Sequence, residues 1–164
     1  MAIANTLEGE IFRRRLQKDY AAYVQYANPG FCMTKFHRYL CGEIQEFLDM
    51  PPTGKAMDIL LLSVPPQHGK SYTVTETLPS WFLGKHPQDA VIICSYDGTI
   101  AEGFSRKNRD KFNEYATDVF RVLPNDQVQG VALWETKDGG RCRAAGLKAG
   151  ITSYGAEPVS YTHL

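Results

Sequence analysis

The chain has 164 residues, of which 43% are hydrophobic and 22% charged, and its 18 basic side chains are balanced by 18 acidic ones. That is room for one globular domain with a sizeable core, and zero net charge excludes long-range steering of a polyanion, so any such partner must be met by a local patch. No basic-then-apolar leader and no apolar run of about eighteen residues occurs, so neither secretion nor a membrane span is expected.

Cys32, Cys41, Cys94 and Cys142 are widely spaced, without a C-x-x-C pair or a cysteine–histidine ligand spacing, as expected of reduced cytosolic thiols. Between residues 7 and 27, Ile11, Phe12, Leu16, Tyr20, Tyr23, Val24 and Ala27 recur at three- and four-residue steps and predict one amphipathic helix, ended by Pro29-Gly30. Arg13, Arg14, Arg15 and Lys18 near its middle read as a solvated face, with a nucleic-acid contact as the alternative. Residues 34–50 repeat the pattern through Phe36, Tyr39, Leu40, Ile44, Phe47 and Leu48 and stop at Pro51-Pro52, giving a second helix. His37, in its opening turn, reads as a surface or capping histidine.

Residues 59–64 form a continuous apolar run between breakers, the pattern of a strand buried on both faces of a parallel sheet. Pro65-Pro66-Gln67-His68-Gly69-Lys70-Ser71 then turns tightly into a polar helix start over residues 71–78. Free N–H groups and the positive dipole end of such a helix point at an anion. The stretch therefore reads as a phosphate-binding loop, with an ordinary strand–turn–helix connection as the alternative. Pro66, Gln67, His68 and Gly69 form its cradle, Gly69 letting the backbone approach the phosphates. Lys70 would reach the β- and γ-phosphates, and the Ser71 hydroxyl would ligate Mg²⁺. The pattern G-x-x-x-x-G-K-[ST] asks for glycine where this chain has Val64, so the match is incomplete.

Pro79 must kink or restart the following helix, because it lacks a backbone donor and clashes with the preceding turn; Gly84 and Pro87 end it. Residues 90–96 read as a second buried parallel strand. The right-handed crossover of a strand–loop–helix–strand unit would bring Ser95 and Tyr96 to the same sheet edge as the loop. Asp97 or Thr99 can cap the next helix, with Ile100, Phe104, Asn108, Phe112 and Tyr115 on one face. Its Arg106, Lys107, Arg109 and Lys111 read as solvated surface in preference to a DNA contact. Residues 131–136, the turn Lys137-Asp138-Gly139-Gly140 and residues 141–145 read as a hairpin insertion, and Gly146, Gly150 and Gly155 as a loop. The fold class expected is α/β: a three-layer phosphate-loop core with residues 59–64 and 91–96 as parallel strands, helices on both faces, and the hairpin and N-terminal helices around it.

With these residues laid out, the chain resembles the N-terminal ATPase domain of the large terminase subunit of tailed bacteriophages, over roughly residues 16–156. The markers are Pro29-Gly30, Phe36-His37-Arg38, Val64 to Ser71, Pro79-Ser80-Trp81-Phe82-Leu83-Gly84, Ser95-Tyr96, Ala101 to Arg106, Trp134 with Gly139-Gly140, and Ile151-Thr152-Ser153-Tyr154-Gly155-Ala156. In that family the loop commonly lacks the first glycine and carries prolines. The resemblance implies an ASCE-type phosphate-loop NTPase that uses ATP and Mg²⁺. It implies a motor in the bacterial host cytoplasm that docks on a procapsid portal, works with a small terminase subunit and pumps double-stranded viral DNA as a homo-oligomeric ring, with a separate C-terminal nuclease domain. It puts His37 where relatives carry an adenine-side glutamine, and offers Arg143 or Arg141 as the arginine directed at a neighbouring subunit's γ-phosphate.

The resemblance also divides the chain into an N-terminal amphipathic helix (1–28), an incomplete ATPase domain (29–156) and a foreign tail (157–164). Relatives continue after Tyr154-Gly155-Ala156 with an apolar strand ending in two acidic residues. Here the chain reads Glu157-Pro158-Val159-Ser160-Tyr161-Thr162-His163-Leu164, so Glu157 is not taken as a catalytic base and no ATP turnover is expected of these 164 residues alone. A helicase-like ATPase or nucleotide kinase, and a non-catalytic assembly module, stand as the other function classes.

Overall fold

A computed structural model describes residues 3–51, 53–54, 58–146 and the backbone of 159–161. The chain opens with α1 (Leu7–Lys18), α2 (Tyr20–Tyr26) and α3 (Lys35–Asp49). A π turn (Ser71–Thr75), α4 (Leu78–Lys85), β1 (Ala90–Ser95), α5 (Gly98–Lys111), a second π turn (Phe112–Ala116) and α6 (Thr117–Phe120) follow. The strands β2 (Pro124–Gln129), β3 (Leu133–Thr136), β4 (Arg141–Gly146) and β5 (Val159–Tyr161) complete the order. Among the described residues no helix is long and apolar enough to cross a membrane.

The single N-terminal helix expected from periodicity is two helices. Asp19 is extended (φ −114°, ψ 102°); its N–H closes α1 on the Arg15 carbonyl (2.8 Å) while its carboxylate caps α2 by accepting the Ala22 N–H (3.0 Å). Periodicity is blind to this break, since Leu16, Tyr20, Tyr23, Val24 and Ala27 are buried on both sides of it. Arg13 also departs from the solvated face assigned to it: it is 4% exposed. Its guanidinium donates to the carbonyls of Ile3 (2.7 Å) and Asp118 (3.1 Å) and pairs with the Asp118 carboxylate (3.4 Å), so it ties the N-terminal segment to α6. Arg14, Arg15 and Lys18 are exposed as expected.

The sheet runs β2-β3-β4-β1-β5. β1 is parallel to β4 and to β5, whereas β2, β3 and β4 pair antiparallel, so the sheet is mixed and not the parallel one expected. The hairpin of β3 and β4 forms where the Asp-Gly turn predicted it, but β4 pairs directly with β1, with Cys142 opposite both Val91 and Trp134. It thus supplies two of the five strands of the sheet and is no insertion. Residues 159–161, within the stretch expected to be a foreign tail, form the edge strand beside β1. Gly150, Gly155, Glu157 and residues 151–158 in general lie outside the described residues.

The expected strand at residues 59–64 is absent; these residues take no regular secondary structure and pair with no described strand. Leu60, Leu62 and Val64 lean on the core, while Ile59 (75%) and Leu61 (88%) face outward. An uninterrupted apolar run signals burial on both faces only if something covers both, and here one face is covered.

The core lies where α2, α4, the second π turn and the sheet meet. Tyr20, Tyr23, Trp81, Leu83, Ile93, Phe112 and Trp134 are fully buried in it. The Trp81 indole N–H donates to the Leu16 carbonyl (3.0 Å), and its ring centroid is 4.9 Å from that of Tyr20. Gly84 is required by the close approach of α4 to α6, because a Cβ there would lie 2.3 Å from the Phe120 ring.

Burial raises the thiols of Cys41 and Cys142 to about 12 and moves Cys94 in the same direction, while Cys32 is exposed. Iodoacetamide at about pH 8 should therefore alkylate Cys32 alone until denaturant is added. Unfolded thiols release protons near 9.0 and the folded ones retain them to about 12, so their contribution to stability should fall as pH rises through that window. Denaturant midpoints measured from about pH 8 to about 11 should show a shallower fall once Cys41 and Cys142 are both replaced by alanine.

Candidate phosphate-binding site

Val64 leans on the core, and the chain then emerges as the exposed Pro65, Pro66, Gln67 and His68. Gln67 (φ 62°) and Gly69 (φ 73°) both take the left-handed conformation, which reverses the chain within three residues. The His68 ring meets the Pro66 carbonyl at 2.8 Å and closes the turn. Gly69 is needed for space as well as for its dihedral, since a Cβ would sit 2.7 Å from His37 Nε2 and 3.3 Å from the Phe31 ring.

His37 is the third residue of α3 and completes its capping box: its N–H donates to Thr34 Oγ1 (3.4 Å) and its Nδ1 accepts the Thr34 N–H (3.2 Å). With Nδ1 accepting, Nε2 carries a proton and donates to the His68 carbonyl at 3.0 Å. The capping reading of His37 therefore holds, and the same ring ties α3 to the loop. Phe31 stacks on Tyr72 at 5.4 Å and meets the His37 ring at 4.8 Å, so three aromatic rings wall the loop on the α3 side.

Lys70 and Ser71 are half-buried at the start of the next helix, with Lys70 already helical (φ −51°, ψ −45°). The regular helix expected over residues 71–78 is replaced by the π turn, in which the Ser71 carbonyl accepts from the Glu76 N–H (2.8 Å), one residue later than in an α-helix. Pro79 then stands in the first turn of α4, so the helix restarts there. Thr73, Val74 and Thr75 are β-branched and give the intervening turn little helical preference.

Glu76 was not singled out by sequence reasoning, yet it is the buried acid beside the loop. It is 5% exposed, and the Lys107 ammonium lies 2.6 Å from its carboxylate. Lys111 donates to Thr77 Oγ1 (2.9 Å) and lies 6.0 Å over the Tyr72 ring. Burial pushes Lys111 down to about 8, with Lys107 adding to that and Glu76 opposing it. Arg109 donates to the Gln129 carbonyl (2.8 Å), so of the four basic residues of α5 only Arg106 and Lys107 are exposed. The signal available in the sequence was the Lys107/Lys111 spacing of one helical turn.

The structure thus gathers Pro66, Gln67, His68, Gly69, Lys70, Ser71 and His37 at one place. Arg143 is elsewhere, half-buried on β4 opposite Ile92 and Leu133. β4 packs on β1, β3 and α5, whereas the π turn packs on α3 and α4. A lysine and a hydroxyl at a helix start, after two left-handed residues, form a donor set suited to an anion. For Mg²⁺ the loop itself offers the Ser71 hydroxyl, and among the described residues no cluster of three His, Cys, Asp or Glu side chains is placed to hold a metal. Because a Cβ at Gly69 would press on the His37 ring, Gly69→Ala should cost about 1–3 kcal/mol in denaturant unfolding, and less by at least about 0.5 kcal/mol when made in a His37→Ala background.

Residues 61–153 match the family described as terminase large subunit, T4likevirus-type, N-terminal. No curated protein and no solved structure gives a match. The family match opens in the apolar run before the loop and takes in the loop, the π turn, α4, β1, α5 and the β3–β4 hairpin. Since it spans more than half of the chain and contains residues 66–71 of the candidate site, the chain belongs to the T4-like terminase large-subunit family, within the part described as N-terminal.

Proposed function

We propose that this chain is the nucleotide-binding part of an ATP-driven motor that packages viral DNA. The observation that carries the reading is the placement of Gly69, Lys70 and Ser71: a left-handed glycine, a lysine and a hydroxyl in succession at a helix start, inside the family match. In this reading Pro66 to Gly69 cradle the triphosphate of ATP, Lys70 neutralises its β- and γ-oxygens, and Ser71 is the protein ligand of Mg²⁺. Bound Mg²⁺ would offset the charge that builds on the transferred phosphoryl group. In the same reading the base would rest against His37 and the Phe31–Tyr72 stack, which lie beside the loop. The core would then be a phosphate-loop NTPase of the ASCE type.

The partners follow from that motor role. Double-stranded DNA is the cargo, a procapsid portal and a small terminase subunit are the docking partners, and the bacterial cytoplasm is the place. In a homo-oligomeric ring Arg143 would act towards a neighbouring subunit's nucleotide and not its own, consistent with its place in the sheet away from the loop. Calorimetric titration with Mg·ATP checks the central step. The unaltered chain should bind, and Lys70→Ala should weaken binding at least about tenfold, or about 1.4 kcal/mol, with an unchanged circular dichroism spectrum. Equal affinity in the two chains would remove the reading.

A further inference from the structure

The helix that follows the loop is short of its own hydrogen bonds. In an α-helix each carbonyl accepts from the N–H four residues on. Pro79 has no N–H to give Thr75, and the π turn has moved the Ser71 carbonyl onto Glu76. Three carbonyls are met by side chains instead: Tyr72 by the Thr77 hydroxyl (2.7 Å), Thr73 by the Tyr20 hydroxyl, and Thr75 by the Asn108 amide (2.5 Å). Two of these donors come from other elements, α2 and α5.

Asn108 is completely buried on α5 and spans the break. Its Nδ2 donates to Thr75 on the loop side of Pro79 and to the Phe104 carbonyl (3.0 Å) of its own helix, while its Oδ1 accepts the Ser80 N–H (3.3 Å) on the far side. One side chain therefore supplies the donor that Pro79 lacks and holds both halves of the interrupted helix. Leucine would fill the space and leave both backbone groups unpaired; aspartate could accept from Ser80 but could not donate to Thr75. Lys107 on Glu76 and Lys111 on Thr77 fasten the same two elements at the solvent side.

We propose that Asn108 is a positioning residue for the phosphate loop: by donating to Thr75 across the Pro79 break it fixes the π turn, and with it Lys70 and Ser71, to α5. The function so assigned rests on the reading of residues 66–71 as a nucleotide site. Displacement of α5 would then be felt at the loop, and occupancy of the loop would be felt at the exposed Arg106 and Lys107 of α5.

The test is a double-mutant cycle with Pro79→Ala, which gives residue 79 an N–H for the Thr75 carbonyl. In the Pro79 chain, Asn108→Ala should speed amide hydrogen exchange over residues 70–77 about tenfold and weaken Mg·ATP binding by a similar factor. In the Pro79→Ala chain the same substitution should change both by less than about twofold. Asn108→Asp, which keeps the shape and the acceptor for Ser80, should reproduce the loss should the alanine variant fold poorly. Equal effects of the Asn108 substitutions in both backgrounds would overturn the proposal, since they would then act through Ser80 or Phe104 alone. Absence of nucleotide binding by the unaltered chain would remove the function proposed above, and the exchange measurement would still decide whether Asn108 holds the loop helix.

Discussion

Backbone carbonyls that lack a helical partner are the constraint on which the candidate site depends. Pro79 cannot extend the loop helix backward, and the polypeptide on the loop side of it must still satisfy every buried carbonyl. The donors come from Tyr20, Thr77 and Asn108, and each of these is held by something larger. Tyr20 packs on Trp81 within the core, Thr77 also takes hydrogen bonds from Asn28 and Lys111, and Asn108 sits in α5 against β1 and β4. The loop is thus tied to the sheet through side chains that cross from neighbouring helices. α4 completes the connection, because its residues Pro79 to Gly84 are all buried and cannot shift without disturbing the core.

Charge is arranged by the same logic. Glu76 closes the π turn inside the protein, where an unpaired carboxylate would be costly, and Lys107 reaches it from the surface at 2.6 Å. Lys111, largely desolvated, has Glu76 as its favourable neighbour and Lys107 as its unfavourable one. Glu76, at the end of the π turn, is therefore committed to an ion pair that joins the loop helix to α5, and Lys107 and Lys111 outnumber it there. An anion at the loop would meet a surface already biased toward it.

The legible parts of the sequence were those whose signal is local. α3 is bounded by Thr34 and Pro51 as its periodicity said, α5 begins at the Asp97 cap, β1 is a buried strand, and the Asp-Gly turn gave the β3–β4 hairpin. Gly69-Lys70-Ser71 does open a helical segment, and His37 is a cap. What failed depended on distant partners. The burial of Arg13 follows from Asp118, over a hundred residues away in sequence. β2 begins with proline and is mostly polar, with no alternation to announce it, and is recruited by pairing with β3. Residues 59–64 had the composition of a central strand without described neighbours on both sides. The π turn lies between: Pro79 made a break certain, yet the partners that meet the carbonyls freed there, Tyr20 and Asn108, come from distant parts of the chain.

The central claim is that residues 66–71, anchored through these borrowed hydrogen bonds, form the place where a triphosphate sits. The most direct measurement is an amide chemical-shift titration of the isotope-labelled chain with Mg·ATP. The account predicts saturable shifts centred on Gly69, Lys70 and Ser71, with a smaller response at Thr75 and Asn108 and none along β2. Saturable shifts centred on the β2–β3 hairpin or on α1, with the loop amides unmoved, would contradict it.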